Sequence, residues 1–102
     1  MKYYYWVYIL YSPSLGKFYT GQTTLSPEAR LEKHNSGFYK NKYTARGKPW
    51  QIFLTISCFS LQQAIKIEKH IKEMKSKNYI KNLKNYPEMV GKLHEKYLQV
   101  TD

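Results

Sequence analysis

Acidic residues are scarce and cysteine is almost missing from this 102-residue sequence, in which seven Asp plus Glu stand against 17 Lys plus Arg and Cys58 stands alone. One thiol cannot close an internal disulfide. It could complete a four-ligand zinc site only with His34, His70 and His94, which are scattered along the chain. A disulfide framework and a structural metal are both excluded. Long apolar runs are lacking too: nothing approaches the roughly 20 residues that cross a bilayer, and the apolar stretch from Tyr3 to Tyr11 has no small-residue cleavage site. No membrane association and a cytoplasmic, reducing location are expected. With four prolines and five glycines against 42% hydrophobic residues, the composition is globular and matches neither a disordered nor a collagen-like chain. A chain this short buries one core, which excludes an enzyme with separate cofactor and substrate lobes.

What is present in excess is positive charge, formally +10 at pH 7, and it is unevenly placed. Between Glu32 and Glu68 there is no acid, while Lys33, Lys40, Lys42, Arg46, Lys48 and Lys66 fall there. A one-sign surface of this kind gains affinity for phosphate backbones by releasing condensed counterions, and Tyr39, Tyr43 and Trp50 interleave with the cations as stacking groups. Nucleic acid is the leading partner; simple solubility is the competing explanation. An anionic membrane fits less well, because the cations do not form one amphipathic helix face. Only Arg30 and Arg46 among the cations are arginine, and an arginine in a lysine-rich chain marks a position that requires a planar bidentate donor.

The pattern predicts a strand at Tyr3 to Tyr11, a turn at Ser12-Pro13-Ser14-Leu15-Gly16 and a second strand from Lys17 to about Gln22, together a β-hairpin. Ser26-Pro27 caps a helix that runs to Asn35 and closes at Gly37. A polar basic loop, Phe38 to Pro49, leads to a strand at Trp50 to Phe59 with Ile52, Leu54 and Ile56 on one side. Ser60 and Gln63 have capping-box spacing for a helix to about Lys75. Ser76 caps another through Leu83, and Pro87 opens a last one carrying Val90, Leu93 and Tyr97. The order is β-β-α-β-α-α, an α+β domain with a three-stranded antiparallel sheet flanked by helices. Residues 1–85 form its body, with 86–102 a helical extension packed on it. A monomer is expected.

Several side chains could carry chemistry. Leu61, Ala64, Ile65, Ile71 and Met74 give the helix from Leu61 to Lys75 an inward stripe, and Glu68 falls inside it, so its carboxylate requires a metal, a cation or access to water. Arg30 and His34 stand one turn apart on a single helix face, which suits either a phosphate site or a solvated outer face. Tyr8 shares a strand face with Trp6 and Leu10. If paired hairpin residues sum to 27 or 29, Tyr8 and Tyr19 project together, whereas a slip of one residue separates them. His70 and His94 are assigned to exposed helix faces, and Cys58 to packing.

Val7-Tyr8-Ile9, then Tyr19-Thr20-Gly21, then Arg30 and His34 on a helix and Glu68 on a later one together resemble the GIY-YIG nuclease domain over about Tyr3 to Leu83. Lys33-His34-Asn35-Ser36-Gly37 and Lys42 to Trp50 resemble its small, stand-alone bacterial branch. The resemblance implies metal-dependent hydrolysis of DNA phosphodiesters, structure-selective or of low sequence specificity, in repair or recombination. The alternative is a catalytically silent nucleic-acid-binding module of the same fold. In the resemblance Glu68 holds one Mg²⁺ or Mn²⁺, Arg30 pairs with a non-bridging oxygen, Tyr8 activates water with His34 relaying its proton, and Tyr19 orients water or phosphate. Lys33, Lys40, Lys42, Tyr43, Arg46 and Lys48 bind the nucleic acid. Holding a tyrosine ionised near pH 7 requires ~4 kcal/mol of stabilisation by neighbouring positive charge. Val7 and Thr20 depart from the family motif but keep strand propensity, and Asn78, Asn82 and Asn85 compete for the family's late asparagine.

Overall fold

A computed structural model describes residues 5–36 and 45–98. The hairpin opens the fold: β1 (Tyr5–Ser12) and β2 (Lys17–Thr23) pair antiparallel, and β3 (Gln51–Cys58) adds antiparallel to the other side of β1, giving the order β2-β1-β3. The hairpin turn needs a left-handed residue, and Gly16 supplies it at φ 63°, its amide donating to Ser12 O at 2.7 Å. Helix α1 (Pro27–Asn35) follows β2, and α2 (Leu61–Met74), α3 (Lys77–Asn85) and α4 (Pro87–Lys96) follow β3. This is the α+β architecture expected from the sequence, with the fourth helix included.

Three serines start three helices for one reason. A β-region serine hydroxyl accepts an otherwise orphaned amide of the first turn: Ser26 from Ala29, Ser60 from Gln63 and Ser76 from Tyr79. The capping box at Ser60 differs from its usual form, because Gln63 Oε1 accepts the amide of Phe59, one residue earlier, at 2.7 Å. Helix α2 ends at Lys75 in the left-handed region, φ 48°, where a side chain costs about 1 kcal/mol relative to glycine. Of the expected basic loop, Ala45 and Arg46 are helical, and 37–44, including Gly37 and Tyr39, lie outside the described residues.

The central strand is buried on both faces, so Val7, Tyr8, Ile9 and Leu10 read as an unbroken apolar run. One face, with Val7, Ile9, Ile56 and Cys58, packs under Ala64, Ile67 and Ile71 of α2, Ile80 and Leu83 of α3 and Leu93 of α4. The other, with Tyr8 and Leu10, packs with Trp50, Tyr19, Leu31 and Ile52, and α1 covers it. Two expectations change here. A bulge opposite Ile9 and Leu10 shifts the β3 register, so Ile52 joins the Tyr8 face while Leu54 and Ile56 stay on the other. Trp50 is 2% exposed and is a core residue, not a stacking group.

The α2 stripe is also displaced. Leu61, Ile65 and Met74 are exposed, at 42, 44 and 44%, because the buried arc is centred on Ala64, Ile67 and Ile71 and takes in Gln63. The stripe read from the sequence leaves out Ile67 and takes in Leu61, Ile65 and Met74, so its axis lies roughly a sixth of a turn from that of the buried arc. His70 and His94 are not on solvated faces either. His70 Nδ1 lies 3.0 Å from the Tyr97 hydroxyl, and His94 Nε2 lies 2.7 Å from the Ser57 carbonyl to which it donates. Cys58 is buried, and desolvation pushes its thiol up to about 11, consistent with the packing role expected of it.

Candidate functional site

The hairpin register sums to 29 at every pair, Tyr8 facing Gly21 and Leu10 facing Tyr19. The two phenols are therefore diagonal neighbours on one face, with ring centroids 6.4 Å apart. Gly21 is what lets Tyr8 lie down between them. A Cβ built on Gly21 would sit 2.5 Å from the Tyr8 hydroxyl oxygen and 2.6 Å from Cζ. Gly21→Ala is expected to push the buried ring aside and cost about 1–3 kcal/mol, the usual range for overpacking. Chemical denaturation measures the cost, and an unchanged midpoint would mean that the ring has room to move.

From the other side, α1 lowers Arg30 and His34 onto the same ring. His34 Nε2 is 3.1 Å from Tyr8 Oη, and the Arg30 guanidinium carbon is 5.7 Å from the Tyr8 ring centroid. Arg30 Nη1 also donates to Thr23 Oγ1 at 3.4 Å. Tyr19 stands edge-on to His34 with centroids 4.8 Å apart, and 6.2 Å from Trp50. The frame is locked at the far end of α1, where Asn35 accepts the Trp50 amide at 2.6 Å and donates to its carbonyl at 3.0 Å. Gly47 packs directly against the same indole.

Burial and the neighbouring Arg30 charge together push the His34 imidazole down from 6.5 to about 4. It is neutral at pH 7, so it can accept the Tyr8 hydroxyl through Nε2 when its own proton is on Nδ1, but it holds a second proton poorly. His34 binds a proton more readily in the unfolded chain, so its contribution to stability is intact above about 6.5 and is lost as the pH falls toward 4. That gap corresponds to roughly 3 kcal/mol at full protonation. His34→Gln should flatten the dependence between pH 7.5 and 4; equal slopes in urea titrations of the two proteins would contradict this.

Four of the five expected catalytic residues, Tyr8, Tyr19, Arg30 and His34, thus meet on one face of the sheet. Glu68 arrives separately, on α2, whose core residues pack on the opposite face. Its carboxylate is paired with Lys72 Nζ at 2.9 Å, the two side chains being 19% and 54% exposed respectively, so Glu68 lies on the flank of the buried stripe and not in its middle. Tyr19 and Lys72, the partner of Glu68, border a common groove of about 380 Å³ at the outer edge of β2, with Thr20 and Ile71 also in its lining. Sequence reasoning missed this groove and the lock between Asn35 and Trp50. Of the expected nucleic-acid contacts, Arg46 and Lys48 are exposed and Lys33 is half-buried; Lys40, Lys42 and Tyr43 lie outside the described residues.

Among the described residues no helix is long and apolar enough to cross a membrane. Residues 4–84 match the family model described as the GIY-YIG catalytic domain. A UPF0213 protein of Syntrophus aciditrophicus (strain SB) is 37% identical over 83 residues, covering 81% of this chain and 93% of that relative. No solved structure matches the chain. The register that joins the two tyrosine motifs, the helix that brings arginine and histidine onto them and the extent of the match agree: the chain belongs to the GIY-YIG family.

Proposed function

We propose that the protein is a divalent-metal-dependent endonuclease that hydrolyses DNA phosphodiester bonds, with structure selectivity or little sequence specificity, in repair or recombination. The observation that carries the reading is the meeting of Tyr8, Tyr19, Arg30 and His34 on one sheet face, in a chain of the GIY-YIG family.

The residues suit a hard cation held loosely. Among the described residues no three His, Cys, Asp or Glu side chains cluster. A single, partly exposed carboxylate is the ligand set of an ion that keeps most of its waters and takes further oxygens from phosphate. Lys72, half in solvent on a flexible stem, can turn away from Glu68 to admit it. Bound there, Mg²⁺ or Mn²⁺ would polarise the phosphate and stabilise the leaving oxygen.

The remaining roles belong to the chain. Arg30 offers a fixed positive charge to a non-bridging oxygen, where charge increases in the transition state. Tyr8 is fully buried with its hydroxyl on His34, whereas Tyr19 is partly exposed and borders the groove. Tyr19 is accordingly the phenol that meets incoming water or phosphate, and the Tyr8–His34 pair holds its ring and the proton chemistry behind it. Incubating the purified protein with nicked, branched and single-stranded DNA, and with RNA, with and without Mg²⁺ or Mn²⁺, tests the reading. Products are expected on DNA only with metal. Salt-sensitive binding without products under any of these conditions would instead make the protein a silent binding module.

A further inference from the structure

The groove at the β2 edge carries more charge than catalysis requires. Besides Tyr19 and Lys72 it is lined by Lys17 from the edge strand, and by Lys75 and Lys77 from the junction of α2 and α3, around an aromatic wall at Phe18. No lining residue is acidic. Phe18 and Lys77 also border a second depression, of about 330 Å³, whose other walls are Tyr11, Gly16, Phe53 and Lys81. The two depressions therefore adjoin, with Phe18 and Lys77 as shared walls. Tyr11, Phe18 and Phe53 form a ladder of rings with successive centroids 5.0 and 4.9 Å apart. Along it α3 presents Lys77, Lys81 and Lys84, the last with its ammonium 4.6 Å from the Phe53 ring.

Lys75 adds an independent observation. It occupies a left-handed position that glycine would fill at lower cost, and it places a cation on the groove wall. Lys77 is fixed differently, donating from Nζ to Gly16 O at 2.7 Å, both residues lining the second depression.

Lysines spaced along a channel with an aromatic wall are the pattern that holds one unpaired nucleic-acid strand, the cations following phosphates and the rings offering apolar faces to bases. We propose that this channel, running from Tyr19 across Phe18 toward Lys81, binds the single-stranded segment that adjoins the scissile phosphate. The proposal rests on the nuclease reading, because Tyr19 and Lys72, the ion-pair partner of Glu68, line the groove.

Binding is measured by fluorescence anisotropy of labelled single-stranded DNA, single-stranded RNA and a duplex of the same sequence, in EDTA, so that cleavage plays no part. Lys17→Gln/Lys75→Gln should weaken single-strand binding at least tenfold. It should also lower the salt slope by between one and two, at about 0.7 per phosphate contact on a single strand. Lys69→Gln/Lys96→Gln, which removes the same charge from the wall of a different cavity, should change binding by less than threefold. Equal losses in the two double variants, or a loss confined to the duplex, would overturn the proposal. A DNA-only or RNA-only effect of the first variant identifies the strand. Loss of binding in that variant, in a protein that never cleaves, would uphold the channel while removing the nuclease reading; cleavage with unchanged binding would do the reverse.

Discussion

Glu68→Ala should reduce metal-dependent cleavage by on the order of 10³-fold or more, since an ion bound to a transferring phosphoryl group supplies several kcal/mol of stabilisation. The fold should not register the change. Glu68 is paired with a half-exposed Lys72 one helical turn away, and such a pair contributes only a few tenths of a kcal/mol. Glu68→Gln should be nearly as inactive, because it keeps the shape and removes the charge. Turnover and thermal unfolding measured side by side separate the two effects. An active Glu68→Ala protein would detach the carboxylate from catalysis; an inactive but unfolded one would mean that the pair with Lys72 is structural. Excess Mg²⁺ should not rescue the alanine variant.

Trp50→Ala is the largest expected loss of stability. The indole is almost wholly buried between Tyr8, Leu10 and Tyr19, and removing a buried tryptophan costs about 3–5 kcal/mol. In a domain of this size that lowers the melting temperature by more than about 10 °C. The loss has a second part. Trp50 lends both its backbone groups to Asn35, one residue beyond His34, so a collapsed pocket releases the end of α1 that holds the imidazole on Tyr8. Fluorescence-detected urea unfolding would follow Trp6 in the variant. A protein of native stability that has lost affinity for oligonucleotides would restore the indole to the surface role suggested by its sequence neighbours.

Much of this fold could be read from short-range signals. Serine at a cap, proline at a first helical turn and an unbroken apolar strand each act through neighbours a few residues away, so the element order and the α1 limits at Pro27 and Asn35 were legible. The convergence of Tyr8 and Tyr19 was legible as one of two alternatives, since a strand has a period of two and the register remained open. What escaped were long-range facts. Nothing near Trp50 says that an asparagine fifteen residues back will bind its backbone, or that Gly47 leaves room for its ring. The bulge that turns Ile52 over leaves no mark in the alternation itself. His70 and His94 read as solvated because their partners, Tyr97 and the Ser57 carbonyl, come from other elements. The α2 stripe failed for a nearer reason, the omission of Ile67.

One buried side chain bears on where the protein ends as a physical object. Gln63 accepts from the Phe59 amide and donates to the His94 carbonyl at 3.1 Å, tying the exit of the sheet to the last helix. That helix also lends Leu93 to the interior and a second tie through His94 to Ser57. The inherited unit matched by the family stops at residue 84, yet the cooperative unit does not. A chain cut there would strand a desolvated amide and uncover the hydrophobic layer, and would melt in a broad, early transition.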